Sequence, residues 1–154
     1  MRVYLAQHGE AASKDLDPER KLTEKGIEDV GKVAEFLKPL GINCSTIQHS
    51  GKARAAETAQ ILAPSLGGAD LVSGRDGINP LDPVAPIADE LNSAKDDTAL
   101  VGHMPFMGKL ASLLAAGDES LAVAAYTPGT VVCVEKDDAG KWHIAWMFNP
   151  LLFV

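Results

Sequence analysis

The chain has 154 residues, 46% hydrophobic and 23% charged, which is typical of one globular domain with a sizeable core. Its 21 acidic residues outnumber its 14 basic residues, so the formal net charge is −7. Nucleic acids and anionic membranes attract basic surfaces, so this balance argues against either as the main partner. We therefore expect a single domain over residues 1–154 that binds neither nucleic acid nor membrane.

The cysteines and the N-terminal segment bear on location. Cys44 and Cys133 form neither a CxxC pair nor a disulfide framework, which fits a reducing compartment. The first residues lack the apolar core of a signal peptide, and no apolar run approaches the roughly 18–20 residues of a membrane span. We expect a soluble, cytoplasmic protein.

Predicted strands and helices alternate along most of the chain. The strands are predicted at 3–7, 46–48, 69–73 and 98–103, the helices at about 23–38, 52–66, 84–94 and 105–116, and a final hairpin at 130–136 and 141–148. In the first helix, Ile27, Val30 and Leu37 recur at helical spacing on one face. This alternation favours a three-layer α/β/α fold with a mostly parallel central sheet, and the hairpin at the edge of that sheet.

The first predicted strand leads into QHGEA (7–11), where His8 is followed by Gly9. A histidine after a strand can act as a nucleophile when its imidazole is neutral. A glycine beside it lets the backbone approach a ligand closely. A turn histidine next to a turn glycine has the same sequence, so this segment alone leaves both interpretations open.

The second predicted strand leads into SGKARAAET (50–58). Ser50 is a plausible N-cap for the following helix, which would place Arg54 in its first turn. Free N–H groups and the helix dipole favour an anion at this position. An arginine is unfavourable for that dipole, and a bound phosphate would explain it. A solvated surface arginine is the other interpretation.

The fourth predicted strand leads into VGHMP (101–105), where His103 precedes a helix that begins at Pro105. The carboxyl ends of parallel strands share one edge of a sheet, where ligands bind in open α/β folds. We therefore expect His8, Arg54 and His103 to lie at that edge. Together these three side chains predict an anion-binding site more strongly than any one of them does.

Five segments give the chain a family resemblance. QHGEA, LTEKG, S-x-x-x-R-A-x-x-T, NPLDP and GHMP occur in the order typical of the histidine phosphatase superfamily, which includes the phosphoglycerate mutases. Over residues 1–150 the chain resembles the small SixA-type phosphohistidine phosphatase branch. The resemblance implies a phosphoglycerate mutase-like fold and a metal-independent phosphatase that removes phosphate from phosphohistidine in a signalling protein.

The resemblance also implies catalytic roles. His8 would be the nucleophile that carries a phosphohistidine intermediate, Arg54 would hold phosphoryl oxygens, and His103 would stabilise the charge of the phosphoryl group. Clustered positive donors can supply the charge that phosphoryl transfer requires, and the sequence has no HExxH or cysteine-rich ligand set. We expect neither a metal nor a cofactor. The further substrate-binding candidates are Gln7, Gly9 and Ser50.

Two positions depart from the family pattern. Gln7 stands where the family has arginine, and a neutral amide cannot replace a bidentate guanidinium. Losing one charge-assisted contact costs about 1.5–3 kcal/mol, which predicts a slower enzyme unless Lys52 or His49 compensates. Gly51 stands where the family usually has proline, and we expect it to loosen the start of the helix.

The general acid is less clearly marked than the nucleophile. Asp82 in NPLDP is the first candidate and Glu10 the second, although Asp82 could instead be the N-cap of the next helix. Only 49 positions separate Arg54 from His103 (103 − 54), which leaves little room for a lid. We expect an open pocket suited to a phosphate displayed on another protein.

Two alternative functions remain open on the sequence. A broader phosphomonoesterase would act on small phosphorylated substrates. A non-catalytic module would bind phosphate or a phosphoprotein without forming a covalent phosphoenzyme, because Gln7 replaces the arginine. The retention of His8, Arg54 and His103 favours the phosphohistidine phosphatase.

Overall fold

A computed structural model describes residues 1–153. Six strands form one sheet in the order β3-β2-β4-β1-β5-β6. The strands are β1 Arg2–Gln7, β2 Thr46–His49, β3 Val72–Gly74, β4 Thr98–Gly102, β5 Val131–Lys136 and β6 Trp142–Phe148. The α-helices are α1 Glu24–Leu37, α2 Ala53–Leu66, α3 Ala85–Ser93 and α4 Phe106–Ala116. Short 3-10 turns occupy Lys38–Leu40, Ala69–Leu71 and Pro150–Leu152.

The sheet is parallel over four strands and antiparallel over the C-terminal hairpin. β4 lies between β1 and β2 and pairs with both in parallel, with Gln7 opposite Gly102 and His49 opposite Val101. β5 pairs antiparallel with β1, and β6 follows at the edge. This arrangement confirms the predicted α/β fold with a mostly parallel sheet, and the hairpin lies at the predicted edge.

Each face of the sheet buries its own apolar cluster, because successive strand residues point to opposite sides. On one face, Tyr4 and Ile47 pack with residues of α1 and α2. On the other face, Leu5 and Leu100 pack with residues of α3 and α4. The sheet is thus covered on both sides, as parallel sheets require. None of the helices within residues 1–153 is long and apolar enough to cross a membrane.

The predicted boundaries differ most at the third strand. Residues 69–71 form a 3-10 turn, and the strand is limited to Val72–Gly74. Gly67 and Gly68 precede the turn with φ of 138° and 147°, which redirect the chain after α2. An apolar run directly after paired glycines therefore begins as a turn before it joins the sheet.

Candidate active site

Three junctions after β1, β2 and β4 meet at one edge of the sheet. The backbone N–H of His8 donates to the carbonyl of Gly102 at 2.9 Å, so the chain leaving β1 runs beside the end of β4. The rings of His8 and His103 lie 5.0 Å apart between centroids. Arg54 reaches the same place from the first turn of α2. The structure thus brings His8, Arg54 and His103 together, as the sequence predicts.

The tautomer of His8 is set by its backbone neighbour. His8 Nδ1 lies 2.7 Å from the carbonyl oxygen of Gly9. A carbonyl only accepts hydrogen bonds, so Nδ1 carries the proton and the lone pair lies on Nε2. Arg54 Nε donates to that Nε2 at 3.3 Å. Burial lowers the pKa of His8, and the charges of Arg54 and Arg20 lower it further. The imidazole is therefore neutral near pH 7 and can act as a nucleophile.

A buried threonine links the first junction to the second. The N–H of Gly9 donates to Thr58 Oγ1 at 3.0 Å, and Thr58 Oγ1 donates to the carbonyl of Arg54 at 2.7 Å. Thr58 is fully buried one turn after Arg54. This threonine is the last residue of the S-x-x-x-R-A-x-x-T segment, and it fixes the spacing between Gly9 and Arg54.

Two glycines allow the loop after His8 to lie directly on α1. A Cβ atom on Gly26 would lie 2.2 Å from the carbonyl oxygen of Glu10, and a Cβ on Gly9 would lie 2.7 Å from Val30 Cγ2. Thr23 caps α1 and also bonds Glu10: its Oγ1 accepts from the N–H of Gly26 at 3.0 Å and lies 2.7 Å from Glu10 Oε1. The LTEKG segment therefore supports the active-site loop through a helix start.

His103 is held by a hydroxyl group. Its ring is 2% exposed, and its Nε2 lies 2.6 Å from Ser50 Oγ. Burial lowers the pKa of His103 to about 3, with the neighbouring His8 and Arg54 adding to the shift. His103 Nδ1 is buried without a hydrogen-bond partner among the described residues. The free site thus contains two neutral imidazoles beside cationic side chains.

The predicted N-cap role of Ser50 is wrong. The N-cap of α2 is Lys52, which makes no side-chain capping bond, and Ser50 contacts His103 instead. Gly51 has φ of 86°, a conformation closed to proline, and its N–H donates to His49 Nδ1 at 3.1 Å. The glycine therefore shapes the turn that carries Ser50 to His103. His49 therefore accepts a hydrogen bond within that turn.

An open cavity of about 480 Å³ adjoins Arg54. It is lined by Lys14, Arg20, Lys52, Arg54, Asn79, Pro80, Leu81 and Asp82. Within residues 1–153, none of its four basic side chains forms an ion pair. Residues 1–153 also contain no group of three or more His, Cys, Asp or Glu side chains placed to hold a metal ion. The cavity therefore presents unpaired positive charge to a ligand.

Sequence reasoning missed Arg20 and Lys14, which lie in the loop between β1 and α1. Arg20 has φ of 52°, unusual for a residue other than glycine, and its Nε donates to the carbonyl of Ala12 at 3.1 Å. The Asp17 carboxylate accepts two backbone N–H groups and folds the loop back on itself. Arg20 stands directly before the KLTEKG stretch, but that position becomes informative only once the path of the loop is known.

The two candidate acids occupy different places. Asp82 lines the cavity, and its carboxylate accepts the N–H of Asn79 at 2.8 Å. The N-cap of α3 is Val84, so the interpretation of Asp82 as that N-cap is wrong. Glu10 bonds Thr23 at the start of α1 and does not line the cavity. Asp82 is therefore the better-placed acid.

Gln7 stays at the end of β1, opposite Gly102. Its backbone N–H donates to the carbonyl of Thr130 at 3.0 Å, and its own carbonyl accepts from Gly129. The side-chain Oε1 is buried without a partner among the described residues. Lys52, considered from sequence as a compensating charge, lines the cavity, and its charge also lowers the pKa of His103.

The chain is similar in sequence to a known protein family and to one further protein. Residues 3–76 match the sequence profile of the histidine phosphatase superfamily (branch 1). An uncharacterized protein of Picosynechococcus sp. (strain ATCC 27264 / PCC 7002 / PR-6) is 32% identical over 123 residues, which cover 76% of this chain and 74% of that protein.

Solved structures share the fold. The protein histidine phosphatase SixA complexed with tungstate superposes with a TM-score of 0.85 at 22% identity, over 100% of both chains. A putative alpha-ribazole-5'-P phosphatase from Escherichia coli str. K-12 substr. MG1655 superposes with a TM-score of 0.77 at 14% identity, over 97% of both chains.

The profile match covers His8 and Arg54, and the structural matches share the fold over almost the whole chain. Membership of the matched family supports phosphatase chemistry on a phosphorylated substrate. The chain belongs to the histidine phosphatase superfamily.

Proposed function

We propose that this protein is a SixA-type, metal-independent phosphatase that hydrolyses phosphohistidine in a signalling protein through a phosphohistidine intermediate at His8. The observation that carries the proposal is the orientation of His8. Its Nδ1–H is held by the Gly9 carbonyl, and its Nε2 lone pair is directed at Arg54 beside the cationic cavity. A neutral, oriented nucleophile next to unpaired cations fits phosphoryl transfer.

In the first step, His8 Nε2 attacks the phosphorus atom. The bond between phosphorus and the substrate imidazole breaks, and the departing imidazole keeps the electron pair and takes up a proton from the solvent that the open cavity admits. As His8 becomes positively charged, the Gly9 carbonyl stabilises the proton on Nδ1. The incoming phosphoryl group takes over the Nε–H that Arg54 donates to His8 in the free site.

The cations stabilise the charge on the transferring group. Arg54 donates to His8 Nε2, and Arg20 and Lys52 line the same cavity, so we expect all three to act on a phosphoryl group bound there. Arg20 provides a second guanidinium at a site where Gln7 replaces the family arginine. In the second step, water attacks the phosphoryl group on His8, which releases inorganic phosphate and restores the neutral imidazole.

A phosphohistidine substrate does not require a strong general acid in the site. An imidazole is a good leaving group and depends little on a strong general acid. Asp82 lines the cavity, and an acid there would serve an ester leaving group, which supports a second candidate function, a phosphomonoesterase on small molecules. The open cavity and the absence of a large insertion between α2 and β4 support a protein-borne phosphate.

Phosphate release from a histidine-phosphorylated phosphotransfer protein, measured with EDTA present, tests the proposal. We expect turnover by the wild type, no turnover by His8→Ala and faster turnover by Gln7→Arg. Equal rates in wild type and His8→Ala would exclude the proposed mechanism. Activity in Gln7→Arg alone would indicate a phosphate-binding module. Much faster turnover of phosphosugars or nucleotides would favour the phosphomonoesterase.

A further inference from the structure

The lining of the cationic cavity includes one unusually exposed leucine. Leu81 lines the cavity and is 89% exposed, and Leu16 is 85% exposed on the loop that also carries Lys14. The other exposed large hydrophobic side chains are at most 66% exposed. We call Lys14 and Leu81, which both line the cavity, the outer rim. A leucine this exposed beside unpaired basic side chains offers an apolar contact to a molecule larger than phosphate.

The positive charge at this cavity is concentrated and unpaired. Elsewhere in the described part of the chain, six of the other ten lysines and arginines form ion pairs with carboxylates, namely Arg2, Lys21, Lys25, Lys32, Arg75 and Lys109. The four basic side chains of the cavity form none, although the chain carries a net charge of −7. A local positive field on an acidic protein selects a negatively charged partner.

The four cations divide into two groups. Arg54 donates to His8 Nε2 and Lys52 is the N-cap of the same helix, whereas Arg20 and Lys14 lie on the loop between β1 and α1. On that loop Arg20 donates to the carbonyl of Ala12, whereas Lys14 is exposed and forms no ion pair among the described residues. Its charge is therefore available to a group of the substrate other than the phosphate.

We propose that the outer rim binds the protein segment that carries the phosphorylated residue. An acidic side chain near that residue lies against Lys14, and an apolar side chain packs against Leu81. This inference rests on the proposed function and specifies its substrate class: a phosphoprotein whose site is flanked by acidic and apolar residues. A small phosphoester bound at Arg54 beside His8 leaves the contacts with Lys14 and Leu81 unused.

Steady-state kinetics on paired peptides test this inference. Both peptides carry the same phosphohistidine, one flanked by glutamate and leucine and the other by glutamine and serine. The enzymes are wild type, Lys14→Gln and Leu81→Ser, with Lys38→Gln and Leu151→Ser as matched controls on exposed positions outside the cavity. Phosphoramidate serves as the small substrate.

We expect Lys14→Gln to raise the KM for the acidic peptide about two- to five-fold, the range for an exposed charge pair. The KM for the neutral peptide and for phosphoramidate should rise less than the KM for the acidic peptide, and Leu81→Ser should raise the KM most for the peptide that carries leucine. Equal effects on both peptides, or effects no larger than those of the control variants, would overturn the inference.

A binding experiment separates this inference from the proposed function. If the wild type hydrolyses neither peptide, the proposed function fails. The rim is then tested by fluorescence anisotropy with peptides that carry a stable phosphonotriazole analogue of phosphohistidine. Tighter binding of the acidic peptide, reduced by Lys14→Gln, supports the rim. Equal binding of both peptides, or a dimer of this chain that Leu81→Ser dissociates, overturns it.

Discussion

The two histidines of the site lie 5.0 Å apart on neighbouring strand ends, yet they are held in different ways. A backbone carbonyl fixes the proton of His8, so its lone pair cannot move to the other nitrogen without losing that bond. A hydroxyl group holds His103, and a hydroxyl can either donate or accept. The difference teaches that His8 is held as one tautomer, whereas the Ser50 hydroxyl can bind His103 in either protonation state. We propose that His103 takes up a proton when an anion binds.

Removing the imidazole of His8 or of His103 gives the largest expected differences in activity and in phosphoenzyme formation. His8→Ala removes the attacking atom, so we expect kcat/KM for phosphohistidine to fall by more than about 10³-fold, with no phosphoenzyme formed. His103→Ala removes charge stabilisation, so we expect a loss of about 10²–10³-fold with a phosphoenzyme still detectable. Acid-free gel analysis of ³²P-labelled enzyme checks both. A labelled His8→Ala protein would contradict the assignment of the nucleophile.

Two glycine substitutions on α1 test how the helix supports the loop that follows His8. Gly26→Ala places a Cβ 2.2 Å from the Glu10 carbonyl, so we expect a loss of at least about 2 kcal/mol of unfolding free energy and displacement of the His8 loop. Gly31→Ala is the matched control, because its Cβ would meet nothing within 4 Å. That control should stabilise the helix by about 0.5–1 kcal/mol. Urea denaturation measures both, and similar effects would refute the close approach at Gly26.

Substitutions of Ser50 test the hydrogen bond that holds His103. Ser50→Ala removes the partner of His103 Nε2, so we expect kcat to fall about 3- to 10-fold, corresponding to about 0.5–1.5 kcal/mol for one hydrogen bond. Ser50→Thr keeps the hydroxyl and should restore most of that loss. The rate of His8 phosphorylation should fall with kcat, but KM for phosphate esters should change little. An unchanged kcat in Ser50→Ala would mean that this bond has no role in turnover.

The smallest expected effect is a pH dependence of anion binding. In the free site the pKa of His103 is lowered to about 3, so the ring is neutral at pH 6. A bound sulfate dianion favours the imidazolium and raises this pKa, so binding takes up a proton and sulfate affinity increases as the pH falls. Uptake occurs between the pKa of the free site and the higher pKa of the complex, so titration calorimetry between pH 4 and 6 measures it, and it should decrease in His103→Asn. Sulfate binding that is independent of pH would contradict the switchable role of His103.

The strand ends were the predictable part of the site. His8, Arg54 and His103 are found from sequence because alternating strands and helices fix which junctions share an edge, whatever the details of the loops. The role of Ser50 was not predictable from its local pattern. An N-cap is inferred from neighbouring residues, whereas Ser50 contacts a histidine 53 positions away.

The loop between β1 and α1 explains the remaining failures. Arg20 and Lys14 reach the cavity because the Asp17 turn and a bridge between Ala11 and Leu22 fold the loop back. These contacts are weak individually and have no periodic signal in the sequence. Leu81 illustrates the same point, because nothing in NPLDP indicates that its leucine faces solvent beside the site.

Gly51 has a consequence for engineering this protein by family consensus. A consensus sequence would place proline at this position, and such substitutions are a common route to more thermostable variants. Here the backbone has φ of 86°, proline is locked near −65°, and the N–H that proline lacks is bonded to His49. The substitution would force the 49–52 turn onto another path and draw Ser50 away from His103. A consensus library for this chain should therefore keep glycine at position 51 and vary positions outside that turn.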